Sequence, residues 1–382
     1  MKKILIIIFV FLIIFLCLAF TNRVNADELS DTIEEQMENL DLSGLDDYYE
    51  NILDNKESIT EKIQSMLNGE FSFDYNNILQ FVINAFFSKV KKLIAPIITV
   101  IAIAIFLSFL VGIKSSFLDD SLYQTIFLAC FSAISFILIS LYLSIFIDIK
   151  NDIENLMKLT EIMSPIILSL MISSGAKVSA TVFQPSVLFL SGTVMEIISS
   201  FILPLIGVNM VFCSISFFSK DIKLKKFADF FGSIIKWVFG IVITVYSVFM
   251  TINGIGGASY DGISFKATKY LISNSVPIVG GFLKDGFDII VAGSILIKNS
   301  IGIAVIIMIF YTVISTVALI AALSILLNFT ASVTESFSDE RISGFCSLVI
   351  KNLSFLLASL LVVGLLFFIT VLFMIFSANG VV

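Results

Sequence analysis

Histidine is absent from this 382-residue chain, and with it go imidazole triads, HExxH zinc sites and His-based proton relays. Charged residues are scarce, at 14% against about 25% in a soluble domain. The four cysteines, Cys17, Cys130, Cys213 and Cys346, lie in apolar stretches without paired spacing, which excludes a disulfide framework or a thiolate metal cluster. No GxxxxGK[ST] phosphate loop occurs, so the chain is not its own ATP motor. The long apolar runs hold no internal aspartate, which argues against an intramembrane aspartyl protease. Basic residues form no broad footprint and the isoelectric point is near 4.8, which argues against nucleic acid as a partner. No catalytic, cofactor-binding or metal-ligating set is left to nominate.

Apolar residues are what the sequence has instead. They make up 58% of the chain, with a mean hydropathy of +1.04, so water is not its main solvent. Runs long enough to cross a bilayer, about 20 residues each, occur at Leu93–Ile113, Leu122–Ile147, Val187–Ile215, Phe230–Ile252, Ile301–Leu327 and Phe345–Phe376. The expected fold is therefore all-α, a polytopic transmembrane helical bundle with six spans. Two further stretches, Ile162–Ser173 with Pro165 and the semi-polar Gly254–Ser300 with Pro277, are either re-entrant or spanning. The glycines of Gly254–Ser259 suggest a flexible exit from a span, or small surfaces at which helix backbones approach closely.

Lys2 and Lys3, the apolar run Ile4–Phe20 and Val24-Asn25-Ala26 have the three-part form of a signal peptide over residues 1–26, cleaved or retained as an anchor. Residues 27–92 form an acidic extracytoplasmic segment: 15 of the chain's 30 acids lie between Asp27 and Asp74. Apolar residues at helical spacing there (Leu29, Ile33, Met37, Leu40, then Ile59, Ile63, Met66, Leu67) fit amphipathic helices that pack on something, or a solvated tail. Residues 93–382 form the membrane domain. The most basic short loop, Lys220–Asp229, is the expected cytoplasmic one. That puts residues 27–92, 148–186 and 253–300 and the C-terminus outside, in agreement with the signal peptide. The Lys89, Lys91, Lys92 cluster runs against this rule. Leu122–Ile215 and Phe230–Leu327 share a layout of span, outer segment with proline, and returning span, as an internal repeat would.

Glu196 is the one acid deep in a run, and intramembrane acids are costly and usually face protein or a water path. The other reading is a carboxyl near the interface. A pair with Lys236 is conceivable, although their depths differ. Lys177, Lys266, Lys269, Lys284 and Lys298 read either as an outer vestibule that favours anions or, since Asp261, Asp285 and Asp288 offset most of their charge, as a solvated outer face.

Two blocks, SGAKVSATVFQPSVLFLSG at Ser174–Gly192 and YDGISFKATKYLISNSVPIVGGFLKDGFDIIVAGSILIKNSIG at Tyr260–Gly302, resemble the stage III sporulation protein AE family of endospore-forming Firmicutes. The resemblance implies a non-enzymatic part of the channel or secretion-like complex that links mother cell and forespore, required for forespore development after engulfment. It implies a place in the mother-cell membrane around the forespore and no cofactor. It also implies partners among other stage III sporulation proteins, including a ring-forming component, an Oxa1/YidC-type insertase for assembly, contact with membrane lipids, and an oligomeric state. The expected partner-interface or re-entrant residues are Lys177, Gln184, Pro185, Lys266, Lys269, Pro277, Gly280 and Gly281. A stand-alone secondary transporter or permease is the competing reading, with Glu196 as its candidate site.

Overall fold

The computed structural model describes residues 30–53, 58–68, 75–117, 120–218, 225–275, 280–337 and 340–379. The expected signal peptide lies outside them. Among the described residues every regular element is helical. Three short helices, α1 (Ser30–Glu38), α2 (Ser43–Leu53) and α3 (Ile59–Leu67), precede α4 (Tyr75–Phe117) and α5 (Asp120–Ser173). Then come α6 (Lys177–Glu196), a π-helical turn (Ile197–Ile202), α7 (Leu203–Phe218), α8 (Lys225–Ser275), α9 (Gly280–Phe337) and α10 (Glu340–Asn379).

Among the described residues, six helical stretches are long and apolar enough to cross a membrane: Leu79–Phe109, Ser121–Ser173, Lys177–Phe217, Lys226–Asn253, Phe287–Glu335 and Glu340–Ser377. Their number and order match the expected spans, and the chain is a multi-pass helical membrane protein. Ile162–Ser173 is simply the end of α5, which passes through Pro165 without a break. Gly254–Ser275 likewise continues α8, so the glycines there make no flexible exit. α4 runs unbroken across position 92, the expected limit between the acidic segment and the membrane domain.

At about 1.5 Å rise per residue, α5 with 54 residues, α8 with 51 and α9 with 58 are each more than twice as long as a ~30 Å hydrocarbon layer requires. The bundle they form has two distinct ends. The ends can be told apart by contacts. At the first, the Lys351–Asp229 ion pair (2.7 Å) ties α10 to α8, and Phe345 packs edge-on against Phe131 of α5 and Phe217 of α7. At the second, Lys298 of α9 donates to the Ile375 carbonyl of α10 at 2.6 Å. There too, Asn253 of α8 meets Ser186 of α6 at 3.0 Å.

α9 and α10 form the central hairpin: the most apolar window of α10 is 72% buried, whereas those of α4 and α8 are each 28% buried and line the periphery. Within the core, Asn209 of α7 donates to Asn352 of α10 at 2.8 Å, and the Tyr246 hydroxyl of α8 pairs with Thr370. Buried polar pairs of this kind fix one helix register against another where apolar packing alone would allow sliding.

The acidic segment is not a solvated tail. Ile33, Met37, Leu45, Tyr48, Tyr49, Ile59 and Ile63 are buried. Gln36 of α1 reaches the Ile290 carbonyl and accepts from Ser294 of α9, and the Tyr48 hydroxyl of α2 lies 3.0 Å from that of Thr312. Asp46 gathers α2 and α3 by accepting from Ser58 Oγ, the Ile59 and Thr60 amides and Thr60 Oγ1 at 2.6–3.2 Å. Burial raises its pKa, but those hydrogen bonds outweigh the desolvation and leave it below the usual carboxylate value.

Candidate functional site

The two blocks quoted above, far apart in sequence, meet at the second end of the bundle. α5 closes with a Schellman turn: Ala176 N–H donates to the Met171 carbonyl and Gly175 N–H to that of Ile172. Gly175 has φ +86, the left-handed conformation that favours glycine. A Cβ at Gly175 would also fall 2.6 Å from the Phe265 ring of α8. The turn feeds α6, whose N-cap Ala176 has no side chain able to cap the helix.

Asp261, from the other block, supplies what Ala176 lacks. Its two carboxyl oxygens accept from the Val178 and Ser179 amides at 2.7 and 2.9 Å, satisfying two of the free N–H groups at the α6 N-terminus and favoured by the helix dipole. Asp261 is wholly buried. One turn earlier on α8, Gly257 sits so close to Ser179 that an added Cβ would lie 2.5 Å from its Oγ and 2.9 Å from its Cα. The small residues of the two blocks thus serve close helix approach.

The outward faces of the joined helices are exposed. On α6, Lys177, Thr181, Gln184 and Pro185 are exposed. On α8, Tyr260 (67% exposed), Ile263 (72%) and Tyr270 (69%) stand out, with Lys266 exposed among them. Four of the expected interface residues, Lys177, Gln184, Pro185 and Lys266, therefore share this end and face outward. Lys269 pairs with Asp288 of α9 at 2.8 Å. Gly280 and Gly281 open α9, and Pro277 lies outside the described residues.

Two residues assigned to a solvated outer face are not there. Asp261 is the buried cap, and Lys298 is wholly buried with its ammonium on the Ile375 carbonyl. Residue type alone could not separate them from their solvated neighbours. A local signal existed for Asp261, because a helix that starts at Ala176-Lys177 without a Ser, Thr, Asp or Asn cap needs a remote acceptor. Glu196 lies between Ser186 and Asn209, about 15 and 20 Å along the helix from them, yet it is exposed on the outside of the bundle. It does not pair with Lys236, whose ammonium lies over the Phe355 ring at 5.9 Å. Among the described residues no group of three or more His, Cys, Asp or Glu side chains is arranged to hold a metal ion.

The architecture is thus that of a polytopic helical membrane protein whose long helices pack their ends together at one end of the bundle. The stage III sporulation protein AE family matches residues 57–378, and the chain belongs to that family. It is 22% identical to stage III sporulation protein AE of Bacillus subtilis (strain 168) over 323 residues, which cover 85% of this chain and 81% of the relative. No solved structure matches it.

Proposed function

We propose that the chain is a non-enzymatic component of a channel-like, secretion-like complex that links mother cell and forespore, acting after engulfment from the mother-cell membrane. In this reading the end built around Asp261 faces the space between the two membranes and docks a ring-forming partner. The supporting observation is that described residues of both distinctive blocks meet where Asp261 caps α6, with Tyr260, Ile263, Lys266 and Tyr270 exposed beside them. Exposed tyrosines are among the residue types enriched where proteins meet. Other stage III sporulation proteins are the expected partners, and an Oxa1/YidC-type insertase the expected route into the membrane.

Glu196, the candidate site of the transporter reading, is exposed on the outside of the bundle, which favours the complex-component reading over it. Replacing Tyr260 and Tyr270 by Ala together with Lys266→Glu tests the docking surface. Membrane insertion should be normal while co-purification of the ring component is lost. Co-purification at the level of the unaltered protein would refute the surface. Orientation is tested by impermeant thiol labelling in a background without native cysteines: Lys266→Cys should react in intact cells and Lys226→Cys should not, and the reverse pattern would invert the topology.

A further inference from the structure

The described charges at the end of the bundle built around Asp261 do not balance. Asp261 is wholly buried, and both its carboxyl oxygens are committed to the α6 amides. Lys269 is paired with Asp288 at 2.8 Å, and Lys298 is buried on the Ile375 carbonyl. Lys177 and Lys266 remain. Both are exposed, and among the described residues neither belongs to an ion pair. The fold brings them to one corner, because Lys177 closely follows Gly175, Lys266 directly follows Phe265, and the Phe265 ring packs over Gly175. Lys177 also opens α6, the end of a helix at which a cation is disfavoured and an anion favoured. An anion from outside the chain relieves that placement.

We propose that Lys177 and Lys266 hold an acidic segment of a partner protein, its carboxylates on the two ammonium groups and its apolar side chains on Tyr260 and Ile263. The inference rests on the docking reading above and adds the chemistry of what docks. Tyr260, Ile263, Lys266 and Tyr270 recur at spacings of three and four residues, so they form one stripe along α8. Tyr260 is 67% and Ile263 72% exposed, and they need an apolar cover where the lysines need a negative one. The occupant therefore carries both kinds of side chain, as a protein segment does. Lipid headgroups fit less well. Lys266 lies about 20 Å along α8 beyond Asn253, where the apolar stretch ends, whereas a headgroup layer is only about 5–8 Å deep.

The test uses the full-length protein in native membranes of sporulating cells, with a photoreactive benzophenone side chain in place of Ile263 and the cross-linked peptide identified by mass spectrometry. The expected product is a peptide of another protein in which acidic residues outnumber basic ones. Lys177→Glu with Lys266→Glu should lower its yield about tenfold, as attraction turns to repulsion at both positions, whereas Lys177→Arg with Lys266→Arg should retain it. Raising the salt from about 0.1 M to about 1 M shortens the screening length from about 10 Å to about 3 Å, which should lower the yield of the parent about threefold and leave that of the Glu variant unchanged. Membrane level and thermal midpoint should match the parent in both variants, since both side chains are exposed. Equal yield in the Glu variant, equal loss with Arg, a neutral or basic peptide, a peptide of this chain, or cross-links to lipid alone would overturn the proposal. Tyr260→Ala with Tyr270→Ala separates it from the docking reading. Loss of the cross-link there, with full yield in the Glu variant, overturns the charge recognition and leaves the docking surface standing; no protein cross-link from the parent overturns both.

Discussion

Replacing Asp261 by Ala should release the junction between α6 and α8 without unfolding the membrane spans. The substitution strips the acceptors from two amide donors, the buried one of Ser179 and the part-buried one of Val178. Each orphaned buried donor costs about 1–3 kcal/mol, and losing an acidic group at a partly buried helix N-terminus adds about 0.3–2 kcal/mol. A total of about 3 kcal/mol, toward the lower part of that range, corresponds to roughly a hundredfold rise in the open population. Ser179 reports on it well, because it is wholly buried and its hydroxyl makes no hydrogen bond, so Ser179→Cys is a mild change. In a protein otherwise free of cysteine, maleimide should label Ser179→Cys about a hundred times faster in the Asp261→Ala background. Asp261→Asn, which keeps one acceptor, should fall between. Thr181→Cys, already exposed, should label at one rate in all three. Protection of Ser179→Cys that changes by less than about threefold in Asp261→Ala would refute the capping role.

Gly257→Ala should lower the thermal midpoint in detergent, since the new methyl meets the Ser179 backbone and overpacking costs about 1–3 kcal/mol; Gly240→Ala, which meets nothing within 4 Å, should be neutral. Asn209→Leu and Asn352→Leu should each destabilise by about 1–3 kcal/mol by orphaning the other, while the double variant should cost less than their sum, as read from unfolding in mixed micelles. The Asp46 pKa is depressed in the folded protein, so its contribution is full above the unfolded value of about 3.9 and is lost as pH falls through the lower folded value. Hydrogen-exchange protection of α3 should therefore be intact at pH 5 and fall only below about pH 4. Asp46→Ala should lack that protection at every pH.

The membrane helices were legible because hydrophobic run length is dictated by bilayer thickness and little else in this chain competes with it. Pro165 and the Gly254–Gly257 cluster misled for a shared reason. Breakers signal a break only when nothing packs on the helix, and here Ser164 and Ile166 on either side of Pro165 are buried, while Gly257 is pressed against Ser179. The docking of the acidic helices was half legible. Their apolar spacing was plain, but the surface they fill, the flank of α9 from Ile290 to Thr312, straddles in sequence the outer segment 253–300 and the span Ile301–Leu327, and neither reading marks it as a docking face. The partners of Asp261 and Lys298 are 82 to 83 and 77 residues away, which no local pattern encodes. Glu196 was found by its type and depth, yet the side of the helix it takes follows from packing around the π-helical turn.

The most direct test of the proposed role is the yield of heat-resistant spores from a clean deletion strain of the source organism, complemented in trans, with growth and forespore gene expression followed in the same cultures. The proposal predicts normal vegetative growth, engulfment that completes, arrest of forespore development immediately afterwards and restoration by the intact gene. Normal spore yield, or arrest before engulfment, would contradict it.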